Sequence, residues 1–417
     1  MMLVKVFGIL LFMFVNFAQA IELEGDIRSA YMDYNFDNYF PNSRALAVSG
    51  RLGIKADLGH GFFSGAKFAT VQGLGLNKKD EQYMTFTFNK NQESFTLLQE
   101  LYVGFMNSST KIKLGRQQMN TPLIDSDDYF VIGNSFEAFT LEHKYSNNIK
   151  FHLGYVQAMS GWDSSFDIGS FESMSKQAWT HKADSGVDGY YDVSSYIGNR
   201  GVSFLGGLYA NETLNFQVWN YVAHDMFNAL FFQGDFVVNE NINISIQYQS
   251  RKEIGKMKNI KSVGSNLHID YSTWSAQASI LVKNMKVSAK YTGISDDESL
   301  HFFGAWGGYS EFASGIMVNY FETSLRDANI YTLQNDLDLS AVVSGLNLTL
   351  NYSYYDLNQD YTKSIFAPKG EAYLHAYGAT VVYNFLPNTL FAIEAGVRKL
   401  DNGSNSNRFR TLLAYYF

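Results

Sequence analysis

The strongest constraint in this chain is a period of two. Between Leu346 and Tyr354, Leu346, Leu348, Leu350, Tyr352 and Tyr354 alternate with Asn347, Thr349, Asn351 and Ser353. Between Ile242 and Arg251, Ile242, Ile244, Ile246 and Tyr248 alternate with Asn243, Ser245, Gln247, Gln249 and Arg251. The last ten residues do the same. Phe409, Thr411, Leu413, Tyr415 and Phe417 share one face, and Arg408, Arg410, Leu412, Ala414 and Tyr416 share the other. Successive strand side chains point to opposite faces, so each ribbon has a greasy side and a wet side. A bare aromatic terminal strand is an aggregation hazard in water. It is no hazard where the last strand pairs with the first and its apolar face meets lipid.

The alternation persists, with ribbons joined by tight turns and long loops in turn. Gly59-His60-Gly61, Asn107-Ser108-Ser109, Asn211-Glu212-Thr213 and Asn239-Glu240-Asn241 are tight. Segments 34–44, 73–93, 118–136, 159–200 and 295–327 are long and polar. The spacing predicts about 18 strands. A β-sandwich also alternates, but ribbons of about ten residues with short and long connections in turn favour a transmembrane antiparallel β-barrel. The expected fold is therefore all-β, with short periplasmic turns and long extracellular loops, in the outer membrane of a bacterium.

Composition agrees. Aromatic residues reach 16% and cysteine is absent, while mean hydropathy is only −0.15. No cysteine means no disulfide framework and no thiolate metal site. No paired histidine spacing suggests a metal, and no cofactor is expected. The net charge of −8 argues against a nucleic-acid partner. At the N-terminus, Lys5, the apolar run Val6 to Phe17 and Ala18-Gln19-Ala20 form a secretory signal pattern. Residues 1–20 are expected to be a leader, leaving 21–417 as the barrel.

Eight strands fill a barrel with side chains, whereas 16–18 leave an aqueous bore. Such a bore needs a loop to narrow it. The candidate is 118–136, which carries Asp125, Asp127 and Asp128, with Tyr129, Phe130 and Phe136 as wall anchors. Parity puts Arg28, Arg51, Lys55, Lys113, Arg251, Lys290, Arg398 and Arg410 on the lumen face, with Glu100, Asp235, Asp336 and Glu394. Fixed charge of this kind guides ions and charged solutes. Arg116 shares lipid-side parity with Leu114, so a bulge resets the register there or it lies above the membrane.

Two segments resemble the OprD-type outer-membrane porins. One runs from Leu114-Gly115-Arg116-Gln117 through Thr121-Pro122-Leu123, Asp125 and Asp128 to Phe136-Glu137-Ala138. It is similar to that family's strand into an inward-folded constriction loop. The other comprises Phe303-Gly304, Gly308-Tyr309, Ala328 to Leu339 and Gly345-Leu346-Asn347-Leu348. It is similar to the family's seventh loop and following hairpin. The resemblance implies an 18-stranded porin, passing small hydrophilic solutes that often bear a carboxylate, as a monomer or trimer. Outer-membrane lipid and, through the C-terminal strand, the barrel-assembly machinery are the expected partners. The family's arginine before the constriction-loop prolines is replaced here by Tyr129-Phe130-Val131.

Two rivals remain at this level. An enzyme would need a nucleophile beside His143, His152, His268 or His375, and no G-x-S-x-G motif is present. An adhesin or surface anchor would display loops 159–200 and 295–327, with Trp162, Trp179 and Trp306 for binding.

Overall fold

In the computed structural model, eighteen strands run antiparallel, each bonded to the next, and the first pairs with the last. The structure describes residues 20–36, 42–77, 87–128, 130–164, 167–177, 180–182, 193–262, 265–266, 268–297, 300–302, 306–308, 327–357, 373–400 and 405–417. Most of the leader, together with Tyr129, Trp179, Phe303, Gly304 and Tyr309, lies outside them.

Closure joins Ala20–Phe36 to Asn405–Tyr416, in register from Asp26↔Tyr416 to Phe36↔Ser406. Gly25 and Phe417 then exchange two backbone hydrogen bonds of 2.9 Å. A Cβ on Gly25 would lie 2.6 Å from both the Arg51 carbonyl oxygen and the Phe417 ring. Glycine is therefore what lets the last residue seat.

The tight turn at residues 59–61 keeps all three residues left-handed, with φ of 82°, 53° and 83°. Two glycines make that conformation cheap. Four register shifts mark bulges among the described strands, at Asp57/Gly59, Lys67/Phe68, Glu137/Ala138 and Val237/Asn239. The strand Asp270–Val282 is preceded by a separate pairing of Ser265–Asn266 with Lys261–Ser262. Within the segment Ala328 to Leu339 the strand is Asn329–Asp338.

The two faces follow parity. Leu23, Ile27, Leu52, Leu205 and Leu333 are each more than half exposed on the outside. In water that apolar area would be costly; against lipid it is the stable arrangement. Inside, two hydrophobic clusters line opposite stretches of wall. One is built on Ala30, Met32, Ala45, Ala47, Ala69 and Val71. The other is built on Phe204, Trp219, Tyr221, Phe227 and Phe231. Loop residues complete both.

Candidate pore constriction

The strand Thr110–Gln117 ends and the chain leaves the wall before rejoining it at Ser135–Lys144. Its first part is a tight ribbon. Met119 N donates to Ser126 Oγ (2.9 Å), Ser126 N returns a bond to the Met119 oxygen (2.8 Å), and Thr121 Oγ1 donates to the Ile124 oxygen (2.8 Å). Leu123 and Ile124 at its tip are fully buried among the aromatic cluster, where Leu123 N approaches Tyr221 Oη at 3.4 Å.

A second loop holds that tip. Asp125 N donates to the Trp306 oxygen at 3.0 Å, and Ile124 bridges Gly307. Gly307 has φ of 83°, and a Cβ there would meet the Asp125 oxygen at 2.2 Å. Trp306 stacks on Phe227 (5.6 Å between centroids), and its Nε1 donates to the Met174 oxygen at 2.9 Å.

The other end of the loop is clamped to the opposite wall. Arg51 Nη1 donates to Asp128 Oδ1 at 2.6 Å. Arg28 Nη2 donates to Asp128 Oδ2 at 3.2 Å and its Nη1 to the Phe130 oxygen at 2.8 Å. Asp26 binds both arginines from behind. Phe130, Val131 and Ile132 pack on the alanine-rich wall, and Trp162 Nε1 donates to the Asp127 oxygen at 2.8 Å. The segment thus stretches between opposite walls of the bore. Small residues on one wall leave room for it, and aromatic residues on the other grip its tip.

The three loop aspartates are not one unit. Burial alone would raise Asp128, but Arg51 and Arg28 outweigh it and hold the carboxyl below the usual range. Burial pushes Asp125 up. Burial, then the Asp163 and Asp125 carboxylates, push Asp127 well up. Asp127 also sits at a left-handed φ of 34°, and its Oδ2 is buried without a hydrogen-bond partner.

All eight parity-predicted cations lie on the inner face, but they differ in access. Arg28, Arg51, Arg251, Arg398 and Arg410 are at most 5% exposed. Arg410 is ion-paired with Glu394, its register partner. Arg398 Nε donates to Ser406 Oγ at 2.9 Å. Arg251 packs on Tyr271 and Phe227 and bonds the Tyr271 hydroxyl. Lys113 lies over Tyr102 (4.1 Å), Lys290 Nζ donates to Gln334 Oε1 (2.8 Å), and Lys55 pairs with Glu24. These three lysines are partly or largely open to the bore. Of the other inward acids, Asp336 accepts from Gln334 and Thr349, and Asp235 accepts from Gln233.

Sequence reasoning missed Asp26, the counter-ion shared by Arg28 and Arg51. It also missed Lys67, which bridges Glu24 (2.7 Å) and Glu100 (3.0 Å). Parity marks both positions as inward. Phe136 is fully buried, though it belongs to the strand rather than the loop. Arg116 keeps its outward parity, paired with Glu137 at 2.9 Å and lying 4.1 Å from the Phe171 ring; no bulge resets it. His143, His268 and His375 bond Thr110, Glu253 and Tyr352, while His152 lies over the Trp219 ring. Trp162 and Trp306, offered above as surface binders, are at most 6% exposed and bonded to the Asp127 oxygen, and to Asp125 N and the Met174 oxygen, respectively.

A family model described as "outer membrane porin, OprD family" matches residues 89–364. No curated protein matches the chain in sequence. Among solved structures, Pseudomonas aeruginosa OccK9 (OpdG) superposes with a TM-score of 0.76 at 14% identity, over 96% of this chain and 99% of that one. Acinetobacter baumannii OccAB4 gives 0.71 at 15%, over 96% and 99%. Pseudomonas aeruginosa OpdK with vanillate gives 0.70 at 13%, over 95% and 98%.

Proposed function

The chain belongs to the OprD family of outer-membrane porins, and we propose that it is a water-filled channel for passive diffusion of small hydrophilic solutes and ions, with a preference for those bearing a carboxylate. The observation that carries this reading is the loop strung between Arg28/Arg51 and Tyr221/Trp306. It narrows a barrel that would otherwise be too wide to choose.

The carboxylate preference rests on lysines rather than arginines. Five of the eight candidate cations are buried, several of them against acids, and present little surface to a passing solute. Lys55, Lys113 and Lys290 are within reach. A compact ammonium on a flexible stem offers a mobile donor to a carboxylate without trapping it, which conduction requires. The structural relative OpdK was crystallised with vanillate, a small aromatic carboxylate. Catalysis forms no part of this reading. The terminal strand, closed by Phe417, is the segment we assign to recognition by the barrel-assembly machinery. Cleavage after Ala20 and a monomeric or trimeric state complete the proposal.

Liposome swelling with size-matched solutes tests it. Carboxylate-bearing amino acids and hydroxy acids should enter faster than neutral sugars of equal size. Faster sugar entry would overturn the preference, and no swelling by inserted protein would overturn the channel.

A further inference from the structure

The channel reading leaves one motif unused. Lys252, Lys256, Lys258 and Lys261 fall within ten residues, in a chain of net charge −8. Lys252 belongs to the strand Ile242–Glu253, whose outward residues run Ile244, Ile246, Tyr248, Ser250, Lys252, and the other three follow that strand. Register extends this order sideways. One row reads Val218, Phe232, Tyr248, Trp274; the next Asn220, Leu230, Ser250, Ser272; the next Val222, Asn228, Lys252, Asp270. On the strands carrying Tyr248 and Trp274 the outward residues thus pass from aromatic, through the hydroxyls of Ser250 and Ser272, to the charges of Lys252 and Asp270, while Leu230 and Val222 stay apolar on the two neighbouring strands. That gradient marks where hydrocarbon gives way to headgroup.

The lysines above it stand on a firm base. The 3-10 turn Gly255–Asn259 is pinned by buried Met257, whose N donates to the Asp225 oxygen at 3.0 Å. Ile254 N donates to the Met226 oxygen at 3.1 Å. Lys256 and Lys258 are exposed, and Lys258 has no acidic partner among the described residues. Lys256 Nζ reaches the Ile197 oxygen (3.2 Å), and Lys252, with its side chain 71% exposed, sits 3.2 Å from Asp270. The nearest other acids are already engaged, Asp225 by Arg200 and Glu253 by His268.

We propose that this rim docks the phosphate groups of an outer-leaflet glycolipid. Its acyl chains would lie along Ile244, Ile246 and Tyr248, and its phosphates would meet Lys252, Lys256 and Lys258. Continuity with the lipid-facing wall selects a lipid over a soluble anion. Ammonium groups form strong charge-assisted bonds to phosphate oxygens.

Native mass spectrometry of the full folded chain with diphosphorylated lipid A, or with its monophosphorylated form, is the test. The parent should retain the diphosphorylated lipid better. The combined Lys252→Ala, Lys256→Ala and Lys258→Ala variant should retain about fivefold less, and the same three positions as arginine should restore binding. Heat-modifiable gel mobility reports folding; if the triple variant fails it, Lys258→Ala alone should still lower retention about twofold. Equal retention by a folded alanine variant, indifference to phosphate number, or full displacement by equimolar inorganic phosphate would each overturn the proposal.

Discussion

Asp128 Oδ1 accepts a 2.6 Å hydrogen bond from Arg51 Nη1, joining the returning end of an inward loop to the barrel wall across 77 residues of sequence. Asp26 holds Arg51 from the other side, so the guanidinium is bonded to carboxylates on both sides. The contact is a latch with a prepared strike plate. Its charges are matched, which is why burying two arginines there is tolerable.

Breaking the latch should loosen the bore without undoing the barrel. Asp128→Ala leaves Arg28 and Arg51 half-satisfied. Since a third of the Asp128 side chain is exposed, the cost should be about 1–2 kcal/mol, below that of a fully buried pair. Noisier and larger single-channel currents, with unchanged heat-modifiable mobility, are the expected readout. Quiet currents of parental size would separate the latch from the conducting path.

The same aspartate sets an acid limit. Its carboxyl lies below the ordinary range. Its contribution is therefore present above the unfolded value of about 3.9 and is lost as pH falls through the lower folded value. With Asp127 replaced by asparagine, current noise should stay flat from neutral pH to about 4 and rise only below it. A rise already near pH 6 would implicate a different group.

Asp127 has the opposite sign. Burial, Asp163 and Asp125 raise it, so the folded loop prefers its proton and loses stability as pH climbs through that raised value. Asp127→Asn should therefore quiet the channel at neutral pH and flatten its pH response. Destabilisation by the amide would show that the charge is needed.

The far anchor can be tested separately. Trp306→Ala removes a fully buried indole, a change worth about 3–5 kcal/mol in a packed core. The cost should fall on loop docking, seen as greater conductance and faster proteolysis at residues 119–128. A variant with parental conductance would mean that the near-wall latch suffices.

Selectivity should follow access rather than parity. Replacing Lys55, Lys113 and Lys290 with glutamine should shift the reversal potential toward cations. Arg398→Gln should shift it much less, because that arginine is at most 5% exposed. Equal shifts would restore the arginines to the solute path.

The period of two made the barrel legible, because every strand faces two solvents and must alternate. It placed Arg28, Arg51, Arg398 and Arg410 inside, but alternation records direction and not depth. Whether an inward arginine meets solute or a carboxylate depends on cross-strand register, as at Glu394↔Arg410, and register is fixed by pairing that no single ribbon encodes. The clasp between Trp306 and Asp125 was invisible for a related reason. It joins two loops with no periodicity, through backbone groups that carry no side-chain signature. The bulge near Gln99 lies beside Lys67, which was likewise overlooked.

The account stands or falls on a bore narrowed by a loop held from both sides. Planar-bilayer recordings of the parent and of a variant with residues 121–128 replaced by a short glycine-serine link test this directly. The account predicts discrete parental channels and a several-fold larger conductance in the folded variant. Equal conductance in the two would contradict it.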